Sequence, residues 1–422
     1  MSVRRSVLES GLRIVTEEIP GVRSAAFGIW VNIGSRDEDS KSAGASHFLE
    51  HLLFKGTKSR SAMEISSAIE SVGGEMNAFT SKEYTCFYAR VIDTDLPLAI
   101  DVISELITSS LCTPEDVEAE RKVVLEEISM RDDDPSDLVH EVFAQHFYQR
   151  HPLSKSILGS ESSIKKISRD LIYRYYREKY RPDQIVVSVA GNFKHKKVVK
   201  MIEQALSRDG FLDSQGTPQI RKNEDYVAKG KKVGLLRSKT EQAHLFLGLP
   251  SVSRDDPRRF AVGVLSAALG GGMSSKLFQE VREKRGLAYS VYAYAQQFSG
   301  TGHFGFYAGT APKKAREVLS IFGDVMEEVS RVGLTKDELS RAQGAVLGSL
   351  VLSQEDTGSR MSRIGKSELV YGDVMSFDQI MKEIEKVTPD EIKAIASEIL
   401  QSRPTLAVVG PFTSATSFEG IF

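Results

Sequence analysis

One unit occurs twice along this chain, and an internal repeat dictates the architecture into which every other signal must fit. Residues 87–121 (FYARVIDTDLPLAIDVISELITSSLCTPEDVEAER) parallel residues 306–342 (FYAGTAPKKAREVLSIFGDVMEEVSRVGLTKDELSRA). Each stretch predicts a strand, a turn, an amphipathic helix, and a second helix opened by Thr113 or Thr335. The halves also close alike, with YRPDQIVVSVAGNFK at 180–194 echoing SRPTLAVVGPFT at 402–413, each an apolar strand started by Pro and ended at Gly and Phe. Their starts match too: the β-rich runs leading into GSRDED (34–39) resemble those leading into SVSRDD (251–256). Between the halves, residues 207–232 are polar and broken by Gly and Pro, as a linker is. The boundary is expected near residue 220, giving domains at 1–215 and 225–422. Strands followed by helices in runs predict an α+β fold, two structurally similar domains that each pack a mostly antiparallel sheet with helices.

A chain of 422 residues exceeds what one hydrophobic core usually serves, which agrees with two domains. Lys plus Arg (55) nearly balance Asp plus Glu (57), so the electrostatic footprint of nucleic-acid and membrane-surface binders is missing, and neither partner is expected. Cys86 and Cys112 are too few for a disulfide framework and sit in apolar contexts, which predicts buried thiols in a reducing compartment. The N-terminus has basic residues without a following apolar run of signal-peptide length, and no segment reaches transmembrane length free of charge. A cytoplasmic protein is expected.

Residues 47–51 read His-Phe-Leu-Glu-His inside an Ala/Leu-rich window that Gly56 stops, a helix signal. Positions four apart lie one turn above each other, so His47 and His51 can present two imidazoles to one ion. Glu50 shares their face, while Phe48 and Leu49 point inward. Two imidazoles and one carboxylate leave a fourth tetrahedral position for water, the catalytic rather than the structural zinc arrangement. Zinc lowers the pKa of such a water from about 15.7 to near 7, and Glu50 is placed to take the proton and return it to a leaving amine. A bare His-x₃-His pair is often just two helical surface residues. The intervening Glu makes it His-x-x-Glu-His, a reversed-order zinc motif.

The third ligand has to come from elsewhere, and the helix predicted over 113–135, opened by Thr113 and Pro114 and closed before Pro135, is rich in carboxylates. Glu120 and Glu127 are seven apart and share a face, so one can bind zinc while the other hydrogen-bonds a ligand histidine. Glu126 points away by roughly a quarter-turn. Spacing does not decide between the two, and a Glu-rich helix is otherwise a solvated face.

At these residues the chain resembles the pitrilysin family, within it most closely the processing-peptidase branch that includes the β subunit of mitochondrial processing peptidase, and the resemblance covers essentially the whole chain. It implies a clamshell half built of two similar domains, one zinc per chain held by His47, His51 and Glu127, Glu50 as catalytic base, and Glu120 as the supporting carboxylate. It implies that GGEMNAFTSKEYT (73–85) is an edge strand on which Asn77, Ala78, Phe79 and Thr80 bind an extended peptide by strand addition. It implies that Arg282 binds substrate backbone and Tyr289 hydrogen-bonds the developing oxyanion, from the half of a clamshell opposite the metal. A homodimer with each active site completed in trans follows from that. The glycine-rich loop of the noncatalytic mitochondrial subunit has only a short counterpart at 270–273, and no presequence is expected. The resemblance therefore implies a bacterial-type metalloendopeptidase acting on peptides or unfolded segments.

The competing reading is a noncatalytic assembly subunit of the same fold, in which metal ligands are lost. The nucleotide-binding alternative prompted by LGGGMSSKLF (269–278) lacks the G-x-x-x-x-G-K-[ST] order, and Gly270 to Gly272 read as a flexible turn. His140, His146, His151, His195, His244 and His303 form no comparable cluster and read as surface or core residues.

Overall fold

The computed structural model describes residues 3–222, 225–226, 228, 233–418 and 420–421. The linker read at 207–232 therefore includes positions, 223–224, 227 and 229–232, that lie outside the described residues. The first half supplies strands β1 (Val3–Val7), β2 (Arg13–Glu18), β3 (Ser24–Val31), β4 (Glu75–Thr80), β5 (Thr85–Ile92) and β6 (Ile185–Gly191). Its helices are α1 (Ala45–Leu53), α2 (Ala62–Glu70), α3 (Leu96–Ser109), α4 (Pro114–Asp133), α5 (Pro135–Tyr148), α6 (Glu161–Ile164), α7 (Arg169–Lys179) and α8 (His195–Leu206). The second half supplies β7 (Val233–Arg237), β8 (Ala243–Ser251), β9 (Ala288–Phe298), β10 (Thr301–Thr310) and β11 (Thr405–Gly410). Its helices are α9 (Arg259–Gly270), α10 (Ala315–Val332), α11 (Lys336–Ser353), α12 (Thr357–Tyr371), α13 (Phe377–Glu385) and α14 (Pro389–Leu400).

The repeat carries through to topology. One sheet runs β1-β2-β6-β3-β5-β4 and the other β7-β11-β8-β10-β9, so the second reproduces the first without β1. In each, the strand that closes the half (β6, β11) pairs parallel with a strand near its start (β2, β7), and the remaining pairings are antiparallel. The segment 87–121 contains most of β5, all of α3 and the start of α4, and 306–342 contains the matching parts of β10, α10 and α11. Helix α4 starts after Thr113 with Pro at its first position, where a missing N–H costs nothing. It ends just before Asp134, whose side chain caps α5 through Ser136 N–H, and Pro135 prevents one continuous helix.

Two compact units result, with one cut between Arg221 and Lys222, and two segments cross over. Residues 129–154, with α5, belong to the second unit, and residues 352–376, with α12, belong to the first. In the first unit, α1, α3 and α4 bury one sheet face around Phe27, Ile29, Leu49 and Ile103, while α12 covers the other face through Met361 and Ile364 against Trp30. In the second, α9, α10 and α14 cover one face, and α5 covers the other with Phe143 and Phe147 against Phe246. Both crossing helices sit over a strand glycine: a Cβ on Gly28 would lie 2.4 Å from Met361 Sδ, and one on Gly248 would lie 2.2 Å from Phe143. Gly270 corrects the flexible-turn reading of 270–272. It ends α9, and a Cβ there would collide with the Ala293 backbone nitrogen at 1.9 Å, so it permits close packing of helix on strand.

Helix α12 is tied to its sheet by charge as well as packing. Arg13 and Glu368 are fully buried and 3.5 Å apart, and Arg13 also donates to the Glu368 and Gln219 carbonyls at 2.8 and 3.0 Å. Removing one partner of such a pair leaves a charge in low dielectric, which costs about 3–5 kcal/mol. Glu368→Ala is expected to lose that much stability, read as a lowered denaturant midpoint; a midpoint within 0.5 kcal/mol equivalent, about the size of a neutral surface change, would contradict it.

Candidate metal centre

Helix α1 carries the motif. Phe48, Leu49, Leu52 and Leu53 are buried in the core of the first unit, so the other face of the helix holds His47, Glu50 and His51. The two imidazole centroids are 4.7 Å apart. Helix α4 brings its carboxylates because Val117, Val124 and Ile128 bury along the same stripe as Glu120, which leaves Glu127 at the rim of that stripe.

The question left by spacing is answered by contact. Glu127 Oε2 lies 3.6 Å from His47 Nε2 and 3.5 Å from His51 Nε2, whereas Glu120 Oε2 faces His51 Nδ1 at 3.1 Å. A proton on Nδ1 donates to Glu120 and leaves the Nε2 lone pair directed at Glu127, which is how a second carboxylate orients a ligand histidine. Lys55, four residues beyond His51, holds the other Glu120 oxygen at 2.7 Å. That residue, in the bend just beyond α1, was not singled out in the sequence, although it stands only four positions from His51. His47, His51 and Glu127 form one group of potential ligands among the described residues.

These atoms fit zinc. Bonds of about 2.0–2.2 Å in a tetrahedron hold ligand atoms roughly 3.3–3.6 Å apart, which matches both measured spacings. Glu127 Oε2 is buried and accepts no hydrogen bond, and His47 Nδ1 is likewise unpartnered. A buried acceptor without a donor calls for an explanation, and a cation between it and two imidazole nitrogens supplies one. Burial, with a smaller contribution from His51, pushes the His47 imidazole down to about 4, so it is neutral and able to ligate. Replacing Glu120 by Gln is expected to weaken zinc affinity by about 10–100-fold, measured by chelator competition. Unchanged affinity would mean that Glu120 does not orient His51.

Glu50 is 9% exposed, and its Oε2 accepts a hydrogen bond from Thr80 Oγ1 at 2.5 Å. Burial raises its pKa and Glu127 adds to the rise, while Thr80 and His51 oppose it, so Glu50 is a stronger base than a free carboxylate. Thr80 ends β4, which is an edge strand of the six-stranded sheet. Alternation along the strand sends Met76 and Ala78 to the core side with Thr80, and turns Asn77 and Phe79 to the opposite face. There Phe79 meets Trp30, Tyr84 and Tyr88, and Asn77 Oδ1 accepts the Ala78 N–H at 2.8 Å. The four strand residues therefore divide between two faces.

Arg282 and Tyr289 lie in the second unit. They occur together: the guanidinium sits over the Tyr289 ring at 4.4 Å and over Phe278 at 4.7 Å, and it donates to the Tyr289 carbonyl at 3.0 Å. Tyr289 is 78% exposed, unlike Tyr292 and Tyr294, which pack against His140. His140 thus belongs to the packing of the second unit, and His146 bonds the Val142 carbonyl. Both cysteines are free and buried. Counting from Thr113 and Thr335, Glu120 and Glu127 are replaced in the second half by Ala342 and Ser349.

Residues 13–161 match the family model described as Insulinase (Peptidase family M16), and residues 166–346 match Peptidase M16 inactive domain. The uncharacterized zinc protease of Streptomyces coelicolor is 53% identical over 412 residues, covering 97% of this chain and 90% of that protein. The chain belongs to peptidase family M16. Among other M16-type relatives, the uncharacterized zinc protease YmxG of Bacillus subtilis is 37% identical over 420 residues, covering 97% of this chain and 98% of that protein. A protease from Helicobacter pylori superimposes with a TM-score of 0.88 at 22% identity, covering 97% of this chain and 99% of that one. A Pseudomonas fluorescens structure described as a peptidase M16 inactive domain gives 0.89 at 19%, covering 98% and 99%. These two likenesses establish the M16 fold of paired sheet-and-helix halves. Among the described residues no helix is long and apolar enough to cross a membrane.

Proposed function

We propose that this M16 chain is a zinc metalloendopeptidase that hydrolyses peptides or extended, unfolded segments of polypeptide. The observation that carries the proposal is the convergence of His47 Nε2, His51 Nε2 and Glu127 Oε2, at 3.5 and 3.6 Å about the carboxylate oxygen, beside a buried Glu50 of raised basicity. Zinc, when bound, supplies a Lewis acid that polarises the scissile carbonyl and acidifies water. Glu50 does the proton work. Thr80 occupies Oε2, leaving Oε1 to take a proton from the attacking water as its oxygen bonds the carbonyl carbon. The same proton then passes to the amide nitrogen as the C–N bond breaks, and Glu50 ends as the carboxylate it began.

The substrate pairs with the open edge of β4 as an added strand, so backbone hydrogen bonds carry affinity across many sequences. Arg282 binds substrate backbone, and the Tyr289 hydroxyl donates to the oxyanion, worth roughly 10²–10³ in turnover. The active form is a homodimer in which the partner's Arg282 and Tyr289 complete each site, in the cytoplasm, where Cys86 and Cys112 stay reduced. Mixing Glu50→Gln with Tyr289→Phe protein is expected to restore activity, because one site of the mixed dimer keeps both groups. No recovery after subunit exchange would exclude completion in trans.

A peptide-library digest tests the function: cleavage is expected to stop with chelator and return with zinc. Protein that binds no zinc, or whose Glu50→Gln form cleaves peptides as well as wild type, would favour the noncatalytic assembly subunit.

A further inference from the structure

The two ligand histidines sit on a helix of nine residues that has no cap of its own. Gly44 is the N-cap of α1, it has no side chain, and no side-chain cap bond is made there. The first N–H groups of a helix need acceptors, and here they are found outside the helix. Glu38 Oε2 accepts the Gly44 N–H at 2.7 Å, and Oε1 accepts the Ser46 N–H at 2.8 Å. Both carboxylate oxygens thus grip backbone at and beside the start of α1, and Ser46 immediately precedes His47.

Glu38 is itself fixed. It is 4% exposed, and Lys155 Nζ donates to its backbone carbonyl. The two residues before it are each locked by an ion pair, Arg36 to Glu83 at 2.6 Å and Asp37 to Arg221 at 2.5 Å. Ser46 is held from its other side by the Tyr175 hydroxyl at 2.8 Å. Burial pushes the Glu38 carboxyl up to about 7, against the opposing pull of the Ser46 and Gly44 N–H groups, so its ionised form is unfavourable for folding alone. The repeat offers a comparison within the chain. In SRDE and SRDD, Glu38 corresponds to Asp256, which accepts the Arg258 N–H at 2.8 Å and pairs with the Arg258 guanidinium at the start of α9, a helix without metal ligands.

We infer that Glu38 is a positioning residue for the metal centre: by holding the start of α1 through two backbone hydrogen bonds, it sets the directions of His47 and His51. Side chains reach about 5–6 Å from a helix axis, so a rotation of α1 by about 10° moves a ligand nitrogen by about 1 Å. Metal–ligand distances tolerate about 0.2 Å. A loosely held nine-residue helix would therefore lose much of its affinity for the ion without unfolding.

This rests on the zinc reading, and the test separates the two. Full-length wild type, Glu38→Gln, Glu38→Ala and, as a control elsewhere in the same unit, Glu368→Gln are compared for zinc affinity by chelator competition. The visible absorption of the cobalt-substituted forms and thermal unfolding are recorded in parallel. Glu38→Ala is expected to weaken zinc about 10–100-fold and Glu38→Gln, which keeps shape and one acceptor, by a smaller factor, both with altered cobalt bands. Glu368→Gln is expected to unfold at lower temperature with unchanged zinc affinity and cobalt bands. If Glu38→Ala does not fold, Glu38→Gln decides. Wild-type zinc affinity and cobalt bands in folded Glu38→Gln and Glu38→Ala would overturn the inference while leaving the metal reading intact, and wild type that binds no zinc would overturn both.

Discussion

Glu50→Gln protein is expected to bind zinc with wild-type affinity and to cleave peptides about 10²–10⁴-fold more slowly. The geometry separates the two properties. Glu50 is not one of the three side chains whose donor atoms converge, and its Oε2 is bonded to Thr80 rather than to an imidazole. Gln keeps the shape and can still accept from Thr80, so α1 has no reason to move. What it loses is the ability to hold a proton between attack and departure of the amine. The check is a side-by-side measurement of bound zinc and of kcat/KM on one peptide. Equal cleavage rates would remove Glu50 from the mechanism, and loss of zinc together with activity would recast it as a ligand.

Glu127→Ala is expected to lose zinc affinity by more than the 10–100-fold assigned to an orienting partner such as Glu120. Two imidazoles remain, but the negative charge that a divalent cation gains from Glu127 disappears, and no other carboxylate of the described residues completes the group. Elemental analysis after dialysis against buffered zinc is expected to find the wild type loaded, Glu120→Gln partly loaded, and Glu127→Ala empty. Excess zinc should then restore activity to Glu120→Gln and not to Glu127→Ala. The reverse ranking would exchange the roles of the two glutamates.

The contrast between those two residues marks what was legible in the sequence. His47, Glu50 and His51 follow from helical spacing alone, because all three lie within one turn and a half of a single element. Glu120 and Glu127 are seven apart, and helical periodicity treats them alike. Only the docking of α4 against α1 makes one face His51 Nδ1 and the other both Nε2 atoms. The repeat foretold two similar halves, since β5-α3-α4 and β10-α10-α11 share their order of elements and the Thr that opens the second helix, Thr113 and Thr335. It did not foretell the exchange of α5 and α12. Asp134 and Asp356 cap those helices alike, but nothing local tells an amphipathic helix which sheet it will cover. Glu38 escaped, and Thr80 was expected to bind substrate rather than Glu50, for a related reason: each acts on α1 from a loop or strand remote in sequence, through contacts that exist only once the chain has folded back.

The central claim is most directly tested by diffraction from crystals grown with zinc, with data collected on both sides of the zinc absorption edge. One anomalous peak per chain is expected, about 2.0–2.2 Å from His47 Nε2, His51 Nε2 and Glu127 Oε2. No peak there, or a peak that leaves Glu127 outside bonding distance, would contradict the account.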